Sequence, residues 1–97
     1  MGFQLITCIV ERDLADGVVD AAIKAGAQAA TFHPTSGRGV RERIGFTQRE
    51  KEIVLVVTKS ETTKNVFDAM VSAGSLKQLG KGFAYIQPVE QAIGFID

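Results

Sequence analysis

The sequence predicts an α+β sandwich with the element order β-α-β-β-α-β and an antiparallel sheet. Three observations predict it. The 97 residues match the usual size of one domain, here residues 1–97. The apolar stretches at 3–10 and 51–58 are rich in Ile, Val, Leu and Thr and too short for buried helices. The third observation is an internal duplication. Val18, Asp20, Ala21, Ala25 and Gly26 recur as Val66, Asp68, Ala69, Ala73 and Gly74, at a constant offset of 48 residues. Upstream, the apolar residues 6–10 face 54–58 at the same offset. Downstream, Thr31 to Pro34 faces Tyr85 to Pro88 once six extra residues are allowed in the second half.

Each element has a local reason. Residues 3–10 form the first strand. Asp13 is placed to cap a helix over 14–25, with Leu14, Val18, Ala22 and Ala25 on its apolar face and Gly26 as its stop. Residues 28–34 form the second strand and 51–58 the third. Ser60 is placed to cap a second helix over 61–73, stopped by Gly74. Its Thr63, Val66, Phe67, Met70 and Val71 fall on one helical stripe. Residues 83–88 form the last strand. Pro34 and Pro88 place the second and fourth strands at the sheet edges, so the first and third are central. With right-handed crossovers this order is a ferredoxin-like sandwich whose helices cover one sheet face.

The central strands are nevertheless apolar on both faces. Phe3, Leu5 and Ile9 oppose Ile6, Cys8 and Val10, and Ile53, Leu55 and Val57 oppose Val54 and Val56. An antiparallel sheet with one solvated face alternates apolar and polar. The second face therefore predicts burial against further subunits, and a homo-oligomer.

Composition narrows the function. Eleven basic residues balance eleven acidic ones, which argues against affinity for nucleic acid through a basic face. One Cys excludes an internal disulfide framework and a Cys-rich zinc site. No apolar run approaches the ~18 residues of a membrane helix, and residues 1–10 lack a signal peptide's basic start and cleavage site. A cytoplasmic protein is expected. His33 has no second His or Cys patterned around it, so no metal site is expected. No nucleophile–base pairing can be read from spacing, so neither is a catalytic residue, and the chain reads as a non-enzyme.

Two loops stand out. Residues 36–50 carry Arg38, Arg41, Arg43 and Arg49, four of the five arginines, with Gly37, Gly39 and Gly45. A loop this long between adjacent strands is usually functional or disordered. Arginines on a glycine-hinged loop suit bidentate binding of phosphate or carboxylate; the alternative is a solvated hairpin whose arginines pair with Glu42, Glu50 and Glu52. The insert at 75–82 contains Gly80-Lys81-Gly82, where backbone N–H groups and a lysine can approach an anion. It precedes a strand, so it is no P-loop. Lys81 to Ile86 reads like an RNA-recognition signature, but that signature belongs on a third strand, and residues 52–57 carry no aromatic to stack a base. Gly37 to Arg41 faintly resembles the phosphate loop of acylphosphatases, which follows the first strand rather than the second.

With those features in place, the sequence resembles the PII nitrogen-regulatory signalling proteins over nearly its whole length. The resemblance rests on Gly26 closing the first helix, Thr31 in the second strand, Gly37-x-Gly39 opening the long loop, Gly80-x-Gly82 before the last strand, and Val89-Glu90-Gln91-Ala92-Ile93 after it. It implies a homotrimer with the three sheets facing inward, and an adenine-nucleotide site (ATP, ADP or AMP) in each cleft between subunits. It implies that Ile9 and Thr31 line the base pocket, that Gly37 and the loop after it close over the phosphates, and that Gly80 and Gly82 offer backbone N–H groups. Arg38, Gly39, Arg41 and Lys81 complete the expected ligand set. The long loop would report the ligand to a regulated partner, an enzyme of nitrogen or carbon metabolism or a membrane transporter, through a population shift.

Some positions depart from the family pattern. Gly80-Lys81-Gly82-Phe83 stands where the family usually reads Gly-Asp-Gly-Lys. Gly94 and Ile96 replace two arginines, Arg41 falls near the glutamine that helps bind magnesium and 2-oxoglutarate, and the long loop is shorter and lacks Tyr. These departures weaken the implied phosphate grip and the implied control by 2-oxoglutarate and uridylylation. They leave ADP, AMP, a small anion such as bicarbonate, or no ligand as the expected range. The runner-up is a trimer resembling the CutA proteins, linked to metal tolerance; a trimeric scaffold without nucleotide binding is a third reading.

Overall fold

The computed structural model describes residues 2–35 and 51–93. Strand β1 (Phe3–Glu11) leads through a 3-10 turn (Arg12–Leu14) into helix α1 (Ala15–Lys24), then strand β2 (Ala29–Thr35). Strand β3 (Lys51–Lys59) leads through a second 3-10 turn (Ser60–Thr62) into helix α2 (Thr63–Ala73), then strand β4 (Phe83–Val89). The sheet order is β2-β3-β1-β4 and every pairing is antiparallel. The expected β-α-β-β-α-β architecture, with its two apolar strands central and its two proline-bearing strands at the edges, is the one observed.

Directly opposed residues share a sheet face, so the register assigns the faces. Ile6, Cys8 and Val10 of β1 lie opposite Val56, Val54 and Glu52 of β3. This is the face the helices cover. Ile6, Cys8, Val10, Val54 and Val56 are fully buried there against Val18 and Ala22 of α1 and Val66 and Met70 of α2. Burial pushes the Cys8 thiol up from its ordinary value of 9.0 to about 12, because the thiolate would lose its hydration. It is a core residue, not a nucleophile.

The helix ends differ in detail from expectation. Asp13 lies inside the first 3-10 turn, and no side chain caps Leu14, the residue before α1. Ser60 makes no cap either; its backbone N–H donates to the carbonyl of Gly2 at 2.9 Å. Threonines fasten this turn as donors instead, without capping the helix. The hydroxyls of Thr62 and Thr63 each donate to the Lys59 carbonyl at 3.1 Å. Since the Thr63 proton is committed there, the buried 2.6 Å contact between Thr58 and Thr63 has Thr58 as its donor.

Gly26 ends α1 as expected, at φ +113°. Gly26 N–H donates to Ile23 and Ala27 N–H to Ala22, the paired bonds of a Schellman stop. In α2 the same pair shifts by one residue. Ser75 donates to Ser72, Leu76 donates to Val71, and Ser75 rather than Gly74 takes the positive φ, at 54°. Gly74 is favoured for another reason: a Cβ there would press on Val10 Cγ1 at 3.0 Å and Leu76 Cγ at 3.3 Å.

Candidate functional site

Among the described residues, no element forms a layer over the other face of the sheet. Phe3, Leu5, Thr7 and Ile9 of β1 lie opposite Lys59, Val57, Leu55 and Ile53 of β3. On the far side of β1 they lie opposite Val89, Gln87, Tyr85 and Phe83 of β4. Leu5, Ile9, Ile53, Leu55 and Val57 are only half-buried. Phe83 and Tyr85, stacked at a centroid distance of 6.2 Å, are 57% and 43% exposed. One sheet face is thus packed to exclusion of water while the other presents aliphatic and aromatic side chains of comparable size.

The end of β1 gathers the candidate ligand residues. Gly82 sits directly on the β1 backbone: a Cβ at that position would collide with the Ile9 carbonyl oxygen, and its φ of +143° is itself a glycine conformation. Gly80 is also left-handed, at φ +85°. Between them, the Lys81 N–H donates to the Gln78 carbonyl at 3.3 Å, which holds the turn closed. The Lys81 ammonium donates to Glu11 Oε1 at 3.3 Å. Glu11 is the last residue of β1, and its side chain is 6% exposed against 34% for Lys81. The next residue, Arg12, donates through Nε to Glu52 Oε2 at 3.4 Å. Glu52 is the second residue of β3, where the chain returns from 36–50. Two consecutive residues, Glu11 and Arg12, therefore tie β1 to the glycine turn on one side and to the root of the long loop on the other.

Ile9, Gly80, Lys81 and Gly82 are brought together. Thr31 is not: it is exposed on β2, opposite Leu55, with β3 between it and β1, about 10 Å across two strand spacings. Gly37, Arg38, Gly39 and Arg41 lie outside the described residues. Sequence reasoning missed Glu11, Arg12 and Glu52. A signal for Glu11 was present: it continues the run Phe3, Leu5, Thr7, Ile9 on one face and meets Lys51 across the strand pair. Arg12 is a partner of Glu52 in the structure; the expected pairing of Glu52 with the arginines of 36–50 lies outside the described residues.

Comparison with known proteins decides the family. The model of the nitrogen regulatory protein P-II family matches residues 3–95.

The chain belongs to the P-II family.

Individual relatives agree. The chain is similar to the nitrogen fixation nifHD region GlnB-like protein 1 of Methanobacterium ivanovii, 30% identical over 94 residues, covering 92% of this chain and 90% of that one. It is similar to the protein of the same description from Methanothermococcus thermolithotrophicus, 29% identical with the same coverage, and to that of Methanococcus maripaludis, 26% identical. P-II proteins are regulatory signalling proteins of nitrogen metabolism, and the fold found here is theirs. Among the described residues, no helix is long and apolar enough to cross a membrane, and no group of three or more His, Cys, Asp or Glu side chains is gathered.

Proposed function

We propose that three copies of this P-II chain bury their open sheet faces against one another, and that the trimer is a cytoplasmic, non-enzymatic sensor of an adenine nucleotide. The observation that carries this reading is the apolar face that no described element covers, since apolar area left in water forgoes about 25 cal/mol per Å². The position of Thr31 supports it. β2 and β4 are opposite edges of the sheet, so a site using both Thr31 and the Gly80–Gly82 turn is completed where the edge of one copy meets that of the next. Ile9 and Thr31 then face the base, while Gly80, Lys81, Gly82, Gly37, Gly39, Arg38 and Arg41 face the phosphates.

The 36–50 segment reports the ligand to a regulated protein, an enzyme of nitrogen or carbon metabolism or a membrane transporter. The relatives' descriptions, which place them in a nitrogen fixation region, favour a nitrogen-linked partner. The test is thermal-shift titration with ATP, ADP, AMP, cyclic AMP and bicarbonate, with and without magnesium. A ligand at 100 times its Kd stabilises by ~2.7 kcal/mol, and at least one adenine nucleotide raises the melting temperature accordingly. Five ligands that leave it unmoved overturn the nucleotide reading. With a binding nucleotide in hand, Arg38→Ala and Arg41→Ala weaken it; unchanged affinity removes those two residues from the site.

A further inference from the structure

We propose that Glu11 is an internal counter-anion that withholds Lys81 from dissolved anions, so that an anionic effector binds only by displacing it. The juxtaposition that carries this is a nearly buried carboxylate, 6% exposed, accepting from a lysine a third exposed at 3.3 Å. The lysine lies on a turn whose two glycines both take positive φ. Lys81 is the only cationic side chain on that turn, and it is already satisfied. A carboxylate fixed beside it acts at an effective concentration far above that of a free ligand, and its own charge repels an approaching phosphate. Both effects lower affinity in the resting protein.

The exchange has somewhere to go. Glu11 stands opposite Lys51 in the β1–β3 register, on the same face. When Lys81 swings out to a phosphate, Glu11 keeps a cation across the strand pair, and no buried carboxylate is stranded. Lys51 is also the first residue of β3 and adjoins Glu52, the partner of Arg12. Release of Lys81 therefore shifts charge at the point where the 36–50 segment rejoins the sheet. Glu11 thus sets the threshold of the site and lies between the ligand and the reporting loop.

The inference takes the class of its ligand from the effector reading above, and the experiment separates the two. The variant is Glu11→Gln, which keeps the shape and removes the charge. Without any ligand, Lys81 is acylated by an amine-reactive ester and quantified by peptide mass spectrometry, with exposed Lys77 in the same chain as reference. The Lys81 rate relative to Lys77 rises at least fivefold in Glu11→Gln. Tripolyphosphate, followed by calorimetry, binds Glu11→Gln at least tenfold more tightly than wild type, and the gain shrinks to threefold or less when Lys81→Gln is added. Equal acylation, equal tripolyphosphate affinity, or no tripolyphosphate binding by either protein overturns the proposal. If ADP and ATP bind neither protein while both tripolyphosphate effects hold, the nucleotide reading fails and the counter-anion stands. Should Glu11→Gln not fold, Glu11→Ala is read in the same two assays, and wild-type Lys81 reacting as fast as Lys77 is by itself sufficient to overturn the idea.

Discussion

The two halves of this chain are the same cassette laid down twice. β1 at Phe3–Glu11 and β3 at Lys51–Lys59 correspond residue for residue at an offset of 48. So do the two 3-10 turns, and α1 and α2 begin at the same offset. The halves diverge after their helices. The first closes on Gly26 and enters β2 at once. The second stops one residue later, at Ser75, and runs through the Gly80-Lys81-Gly82 turn before β4. They also diverge at one strand end: Glu11 is buried, and its counterpart Lys59 is exposed. Structure is carried by what the halves share, and the candidate site is built from what they do not.

The glycines are the severest way to break that comparison. Gly82→Ala forces a side chain into the β1 backbone at Ile9, and is expected to cost about 4 kcal/mol or more, the range of exceptional substitutions. Gly26→Ala meets nothing closer than 4.0 Å and suffers only its positive φ, about 1–2 kcal/mol. Urea denaturation of the two variants checks the contrast. Similar losses would show that the insert does not press on β1.

The threonine pair comes next. Thr58 and Thr63 hydrogen-bond in the second half, where the first half has Val10 and Ala15 at the matching positions, both buried. Thr63→Ala leaves Thr58 with a buried, unmatched donor and removes one of the two hydroxyls that donate to the Lys59 carbonyl, costing about 2 kcal/mol. Thr58→Val combined with Thr63→Ala, which makes the second half read like the first, costs less than the sum of the single variants. Additive losses in denaturant melts would deny that the two hydroxyls act as a pair.

A smaller difference separates Cys8 from its counterpart Val56, both buried. The folded-state pKa of Cys8 is raised to about 12, so the folded state holds its proton where the unfolded state has lost it. The resulting stability is intact below pH 9 and is lost as pH rises towards 12. Cys8→Val is expected to show about 1.4 kcal/mol less alkaline loss than wild type at pH 10. Coincident pH profiles would contradict the burial of the thiol.

The least effect is on the helix surface. Lys64 and Asp68 of α2 form an exposed pair at 3.2 Å, while the matching residues of α1 are Asp16 and Asp20, like charges one turn apart. Asp20→Lys should stabilise by about 0.3–0.5 kcal/mol, measurable as a small rise in the urea midpoint that disappears in high salt.

Much of this was legible in the amino-acid order. The duplication Val18…Gly26 against Val66…Gly74 located both helices, and the apolar strands with their prolines set the sheet order. What stayed hidden depended on distant chain. The shift of the helix stop from Gly74 to Ser75 accompanies the tight packing of Gly74 on Val10, which lies in the other half. The burial of Glu11 depends on Lys81, 70 positions away. A strand pattern shows a carboxylate in phase with an apolar face, but not the lysine that folds down onto it. Gly80 and Gly82 were read as ligand donors, and the pressure of Gly82 on β1 became visible only with the backbone in place.

The central claim is that the open sheet face is closed by two further copies of the chain. Sedimentation equilibrium at micromolar concentration tests it most directly. The account predicts a single species of three times the 10.4 kDa chain mass, reduced towards monomer by Leu55→Asp on the open face. A sharp 10.4 kDa species in the wild-type protein would contradict it.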